Sequence, residues 1–467
     1  MTWSRTDALT TGLPVREQYP GGPEFGLAAV EGRFVRTDLP GPAFGMVAVA
    51  GDVVVTATVA AGIPGTTVLR FINARTGALI AARSLRVQGP VGLRTDATDA
   101  GPVVEVKYAA TAAEHDDGPA TYSDIAFDAS GRRVWGAGAQ PTAAYATGGL
   151  IYDPAGGFIS GGHTLRLNPG TDALNHGGSH SVQDLNGKTL LTVPYWAWFN
   201  PRNPAEGSLN GIQLAGRYAV VIHGGNGKTP AAPPHTRFTV YDFSRGTRVV
   251  AAPTVTFPEG ANQAHRSAYN PNPQPSVVTA CGTKIVLALA DPSYTGPSKL
   301  RLTVLDAATG RTTPPADVPL ASNGSWVGPL SGLADQACST MLVTGDMPAP
   351  TSIAISLSSG KMLWQQPTLN VTYHYLSIHD GVIYALRCPA PQAPALLIAI
   401  SAATGRTLGS GFTAVPLAFT ADGTPVFASV PHDPAPRPSP QTSSPGRFLP
   451  QPGPPLPASV GVQLWAG

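Results

Sequence analysis

The sequence predicts an all-β chain built from repeated four-stranded units, on three observations. A turn signature returns about every 50 residues, each time where an apolar strand ends in a Gly-centred reversal. A second series of more apolar hairpins alternates with those turns. The composition agrees, because 53 Gly and 48 Pro among 467 residues supply turns while 42% hydrophobic residues supply a core.

The turn signature reads LRFINARTGALI (69–80), SDIAFDASGRRVW (123–135), FTVYDFSRGTRVV (238–250), RLTVLDAATGRTT (301–313), IAISLSSGKMLW (353–364) and LIAISAATGRTL (398–408), with a weaker copy, HSVQDLNGKTLL (180–191). Each copy is a hairpin: alternating apolar residues, a short polar stretch, Gly for a positive φ, then a strand that starts polar or basic. The second series is VAVAGDVVVTA (47–57), DATDAGPVVEV (96–106), AYATGGLIYD (144–153), IQLAGRYAVVI (212–222), VVTACGTKIVLAL (277–289), GLADQACSTMLV (332–343), LSIHDGVIYAL (376–386) and LAFTADGTPVFASV (417–430). Eight apolar inner hairpins therefore face seven half-polar outer ones. An inner hairpin followed by an outer one is the layout of a propeller blade whose buried strands lie nearest the axis.

Eight blades are predicted, with seven as the alternative count. The missing eighth outer hairpin is assigned to the strand candidate ASVGVQLWA (458–466) paired with an N-terminal strand, for which AAVEGRFVRTD (28–38) is the candidate. That pairing closes the ring and removes an exposed sheet edge. The expected organisation is an N-terminal extension over 1–27 and one propeller domain over 28–466, carrying a Pro-rich insertion at 431–457.

The outer hairpins VLDAATGRTT (304–313), ISLSSGKMLW (355–364) and ISAATGRTL (400–408) resemble the repeat of pyrroloquinoline-quinone-like (PQQ-like) propellers, a strand, Asp-Ala-x-Thr-Gly-Lys/Arg, then a strand often bearing Trp. The resemblance implies that Trp135 and Trp364 pack between blades. Quinoprotein dehydrogenases of that fold use adjacent cysteines, a stacking Trp and a calcium held by acidic and amide groups. This chain has only Cys281, Cys338 and Cys388, none adjacent, so no PQQ or other cofactor is expected. Buried free thiols are the expectation for Cys281 and Cys338, since equivalent positions in neighbouring blades are usually too far apart for a bridge, which needs Cα atoms within about 7 Å.

A formal net charge of +2 with 12% charged residues offers no basic stripe for nucleic acid and no polybasic membrane segment. No run of 18 apolar residues occurs, and the start MTWSRTDALTTGLPV has neither a basic nor an apolar leader region. As written the chain reads as cytoplasmic and monomeric; cut from behind an anchor it reads as extracytoplasmic. Low Lys with high Arg, Ala, Gly and Pro is the usage of a GC-rich bacterial, for instance actinobacterial, genome.

Function is sought where the spacing is irregular. The inner turns, taken at residues 51, 101, 149, 216, 282, 339, 381 and 423, stand 50, 48, 67, 66, 57, 42 and 42 residues apart, so the excess lies around blades 3 and 4. Turns inside hairpins share one face of a propeller, and connections between hairpins open on the other. On that second face TVPYWAWFNPRNPAEGS (192–208) offers Tyr195, Trp196, Trp198, Phe199 and Arg202 as an aromatic lip for a ligand or peptide; the same rings also suit an inner strand. GANQAHRSAYNPNPQP (260–275) adds His265, Arg266 and Tyr269, which read either as a channel mouth or as a solvated loop. Loop residues His115, Asp116, His176 and His223 form a conceivable divalent-metal set, although no local ligand spacing supports it over ordinary turn residues.

The leading expectation is a noncatalytic scaffold that recognises a protein or peptide through the connection-bearing face of blades 2–5. A metal-assisted lyase or hydrolase using the loop histidines, and a glycan-binding or glycan-active propeller using the aromatics, are the alternatives.

Overall fold

The computed structural model describes residues 3–9, 27–30, 33–36, 47–59, 66–86, 91–111, 121–136, 140–141, 159–168, 179–194, 210–225, 235–244, 246–256, 274–291, 299–319, 330–345, 351–367, 371–389, 396–412, 416, 418–429 and 460–466. These residues form antiparallel sheets of four or five strands, one after another along the chain, in the arrangement of a β-propeller.

Blade 1 comprises Val47–Ala50, Val53–Val59, Thr66–Asn73 and Leu79–Arg86 from the axis outward, and blade 2 comprises Val91–Thr98, Gly101–Thr111, Thr121–Asp128 and Arg133–Gly136. Blade 3 is Ile159–Ser160, His163–Asn168, Ser179–Asp184 and Thr189–Pro194; blade 4 is Asn210–Ala215, Tyr218–Gly225, His235–Asp242 and Arg248–Ala251. Blade 5 is Gln274–Cys281, Lys284–Asp291, Lys299–Asp306 and Arg311–Thr312; blade 6 is Leu330–Ala334, Thr340–Gly345, Thr351–Ser356 and Met362–Pro367. Blade 7 is Val371–His379, Val382–Pro389, Leu396–Ser401 and Thr407–Ser410. The last sheet, blade 8, joins Ala418–Phe419, Pro425–Ser429 and Val460–Ala466 to Trp3–Leu9.

The repeated turn is explained residue by residue. Its first residue, Asn73, Asp128, Asp184, Asp242 or Asp306, accepts a hydrogen bond on its side chain from the backbone N–H two positions on, at 2.9–3.0 Å. The next residue is apolar because it tucks inward: the N–H of Ala74, Ala307, Leu357 and Ala402 donates to a carbonyl in the inner turn of the same blade, at Asp52, Thr283, Ser339 and Gly381 respectively. These bonds put the inner and outer turns of a blade on one face. The turn Gly stands at positive φ in all seven copies.

That Gly also lets the blades approach one another. A Cβ on Gly131 would meet Ala81 Cβ of blade 1 at 2.9 Å, one on Gly360 would collide with Thr313 of blade 5, and one on Gly405 would lie 2.8 Å from the Trp364 ring of blade 6. Trp364 Nε1 then donates to the carbonyl of Ala402 at 2.7 Å, and Trp135 packs on the Val103–Ala126 cluster that Leu185 of blade 3 also covers. Both tryptophans therefore sit between blades as expected.

Three expectations need correction. First, residues 28–38 do not supply a strand to blade 8; Leu27–Val30 and Arg33–Arg36 pair with each other, from Leu27 opposite Arg36 to Val30 opposite Arg33. The partner of Val460–Ala466 is Trp3–Leu9, in register from Trp3 opposite Ala466 to Leu9 opposite Val460. Second, the inner hairpin of blade 3 turns at Gly161-Gly162, not within 144–153; the strand His163–Asn168 is the one that pairs with Ser179–Asp184. Residues 144–153 lie outside the described residues.

Third, Cys281 and Cys338 are not free thiols but a disulfide, with Cα atoms 5.5 Å apart. Inner strands converge toward the axis, so turn residues of consecutive blades come closer than equivalent positions farther out. Cys338 occupies the left-handed position (φ 51°) that Gly holds in most of the other inner turns.

The inner turns touch in succession around the axis. Gly51 faces Pro102, Gly162 faces Thr98, Gly216 faces Ala280 and Gly282 faces Cys338. His379 stacks on Phe419 with ring centroids 4.0 Å apart, and Ala421 N–H donates to Gly51 O at 3.3 Å, joining blade 8 to blade 1. Arg75 reinforces that last junction by pairing at 3.1 Å with both Asp52 and Asp422.

Candidate functional site

The strand ends opposite this ring of turns carry the connections between hairpins and between blades. Thr189–Pro194 ends there and Asn210–Ala215 begins there, as do Thr254–Thr256 and Gln274–Cys281. Tyr195, Trp196, Trp198, Phe199 and Arg202 follow directly on the first pair's leading strand, and His265, Arg266 and Tyr269 fall between the second pair; all lie outside the described residues. His115 and Asp116, between the hairpins of blade 2, and His176, between those of blade 3, also lie outside them. His223 is placed by its backbone alone, opposite Asn210 on one side and Arg237 on the other. Among the described residues no three His, Cys, Asp or Glu side chains gather as a metal-binding group.

Polar chemistry that the motifs did not point to is buried in the seams. In blade 2, strands Val91–Thr98 and Gly101–Thr111 place Arg94 opposite Glu105, and Leu93 packs toward blade 1, so Arg94 and Asp96 take the opposite face, toward blade 3. Arg94 donates from Nη2 and Nε to Glu105 Oε2 at 2.5 and 3.0 Å, and Glu105 is fully buried. Asp96 accepts from the backbone N–H of Gly162 in blade 3 at 3.3 Å. Burial pushes its carboxyl above the usual range, against the opposing pull of Arg94.

Blade 3 buries two histidines on the side that packs against blade 4. His163 sits against the Phe243 ring, centroids 4.8 Å apart, and desolvation lowers its pKa. His180 lies two residues from Val182 on the same face, and desolvation lowers it from 6.5 to about 4. Both are neutral at physiological pH and act as core groups.

At the connection-bearing end of the seam between blades 6 and 7, Gln366, Tyr373 and Tyr375 meet on the sheet face that Arg387 shares. Tyr373 stands opposite Arg387 across the two strands. Gln366 Nε2 donates to the Tyr373 hydroxyl at 2.8 Å, and the rings of Tyr373 and Tyr375 lie 10° from parallel with centroids 5.9 Å apart. The sequence held a signal for this group: in VIYALRCP, alternation puts Arg387 on the same face as Ile383 and Ala385, where an apolar residue is expected.

No family model matches the sequence, and no curated protein matches it. Among solved structures the chain is similar to BamB from Moraxella catarrhalis, with 16% identity over 92% of this chain and 97% of that one, at a TM-score of 0.38. It is similar to quinohemoprotein alcohol dehydrogenase from Comamonas testosteroni, with 12% identity over 87% and 74% of the two chains, at 0.38. A third likeness is to the β-propeller domain of the Trilobed protease from Pyrococcus furiosus, with 11% identity over 72% and 90%, at 0.34. Identities and scores of this size assign no activity, and the propeller fold of this chain rests on its own strand order and repeated turns.

Proposed function

We propose that the chain is a closed eight-bladed propeller of the PQQ-like repeat type that works as a noncatalytic scaffold, binding a protein or peptide on the connection-bearing face of blades 2–5. One observation carries this reading: the two faces differ. On one, inner and outer turns are tied by backbone hydrogen bonds, as from Ala307 N–H to Thr283 O at 2.8 Å, and leave little that can vary. The other receives every long connection, and variable loops on a rigid frame are where propellers and similar scaffolds put recognition. The Cys281–Cys338 disulfide supports work in an oxidising compartment, where such bonds persist.

The test is affinity capture from the source cells, comparing the intact chain with one whose residues 195–208, beyond the strand Thr189–Pro194, are replaced by a short Gly-Ser turn and whose unfolding midpoint is unchanged. Loss of a saturable partner from the variant alone supports the reading. Partners indifferent to the replacement, or cross-links mapping to the ring of inner turns, sink it. Elemental analysis of the same protein purified without affinity metal distinguishes the metalloenzyme alternative, which requires stoichiometric divalent metal.

A further inference from the structure

Arg387 carries a cation into the seam between blades 6 and 7. Its strand, Val382–Pro389, turns Ile383 and Ala385 into the apolar cluster shared with Leu342, Ala354 and Trp364 of blade 6, and alternation puts Arg387 on that same face. Its Nε is buried and has no hydrogen-bond partner. Other arginines in this molecule use nearby carboxylates: Arg94 pairs with Glu105, Arg217 with Asp242 at 3.4 Å and Arg301 with Asp317 at 2.8 Å. Among the described residues no carboxylate pairs with Arg387. A guanidinium cannot shed its charge, so one held in a seam calls for an acceptor.

The surroundings say which kind. Tyr373 lies directly opposite Arg387 on one side and Leu396 on the other. The Tyr373 hydroxyl already accepts from Gln366, which leaves its own proton to donate elsewhere. Tyr375, stacked with Tyr373, backs the group with a second ring. One planar fork, one hydroxyl donor and aromatic walls match a flat monoanion. A phosphate dianion calls for further cations, and among the described residues none accompanies Arg387 in this group.

We propose that the connection-bearing end of the blade 6–7 seam is a carboxylate-binding site, in which Arg387 and the Tyr373 hydroxyl donate to the carboxylate oxygens. The carboxylate belongs either to a free small acid or to an acidic side chain of a peptide. This site stands apart from the partner-binding reading of blades 2–5, and its test uses no protein partner.

The experiment is a titration of the full chain, labelled at its arginine side chains, followed by the Arg Nε–H resonances; Arg387→Lys identifies the Arg387 signal. The probes are acetate, a blocked glutamate (N-acetyl-glutamate amide) and its neutral glutamine counterpart. The Arg387 signal is expected to shift saturably with both carboxylates and not with the glutamine probe, and Tyr373→Phe weakens binding by about fivefold to tenfold, one hydrogen bond's worth. Tighter binding of the blocked glutamate identifies a peptide side chain as the source, and equal binding a free acid. An Arg387 signal that ignores the carboxylates, or follows the glutamine probe or chloride equally, overturns the proposal. Arg387→Met supplies an independent check: with no acceptor for its Nε to orphan among the described residues, its unfolding midpoint holds or rises, whereas a large fall reveals a structural partner and also overturns the site.

Discussion

The seam between blades 5 and 6 and the seam between blades 2 and 3 meet the same packing demand with opposite chemistry. The first is dry: Val286, Ala288, Leu302, Val304, Met341, Val343, Ile353 and Ile355 form one buried cluster, and Cys281–Cys338 staples it near the axis. Among the described residues the second gathers only Val103 and Ala126 as a buried apolar cluster, with Val134, Trp135 and Leu185 around them. Beside them lie the Arg94–Glu105 pair and Asp96. A dry seam loses a little with each methylene removed. A charged one holds only while every charge keeps its partner, because removing one side of a buried pair strands the other.

The largest effect is expected from the staple. Cys281→Ala with Cys338→Ala should lower stability by roughly 4 kcal/mol, the chain-entropy value for a cross-link closing a loop of this size, with the two cysteines 57 residues apart. Denaturant unfolding of oxidised against reduced wild type measures it, and coincident midpoints would show that the bond adds nothing. Next, Glu105→Leu should cost about 3 kcal/mol by stranding Arg94, and Arg94→Met in the same chain should recover most of it. A double-mutant cycle that comes out additive removes the distinction between the two seams.

Acid should single out a third kind of seam, blade 3 against blade 4. His163 and His180 have folded pKa values below the unfolded one, so their contribution is fully present above pH 6.5 and is lost as pH falls toward the folded value, about 4 for His180. For His180 alone this amounts to roughly 2 kcal/mol between pH 6.5 and 5. His180→Gln should flatten the stability profile over that window; an unchanged slope would place the lost protons elsewhere. Asp96 runs the other way, since a raised carboxyl pKa favours the folded state as pH falls. The smallest effects should come from the turns. Gly246→Ala meets open space and suffers only its positive φ, about 1 kcal/mol, whereas Gly405→Ala also presses on Trp364 and should lose about 2 kcal/mol. Equal losses at the two glycines would mean that the Trp364 contact yields freely.

The seven outer turns were legible because their physics is local. An acceptor that is Asx in five copies and Ser in two, an inward apolar residue and a positive-φ Gly lie within a few residues in sequence, so the pattern survives reading without a fold. Blade 3 is ambiguous in sequence because Gly-Gly occurs at 148–149, 156–157 and 161–162, and only pairing with Ser179–Asp184 distinguishes them. The disulfide was hidden because convergence toward the axis is a property of the ring rather than of any segment. Segment 28–38 reads as one closing strand by its apolar alternation, while Glu31-Gly32 within it carries a turn signal of its own, and the pairing of Leu27–Val30 with Arg33–Arg36 follows the latter. The aromatic and histidine candidates came from connections, where neither the two-residue nor the blade period applies. Arg387 was visible in the alternation of its strand and was passed over in favour of loops.

The strand Trp3–Leu9 finds its place only against Val460–Ala466, with Trp3 opposite Ala466. At roughly 5–20 residues per second of synthesis, the two are made tens of seconds apart. Through that interval the early strand lacks its partner, and blade 8 reaches its final order only once Val460–Ala466 has been made. The nascent molecule thus carries an open β edge until then, the condition under which neighbouring chains recruit one another.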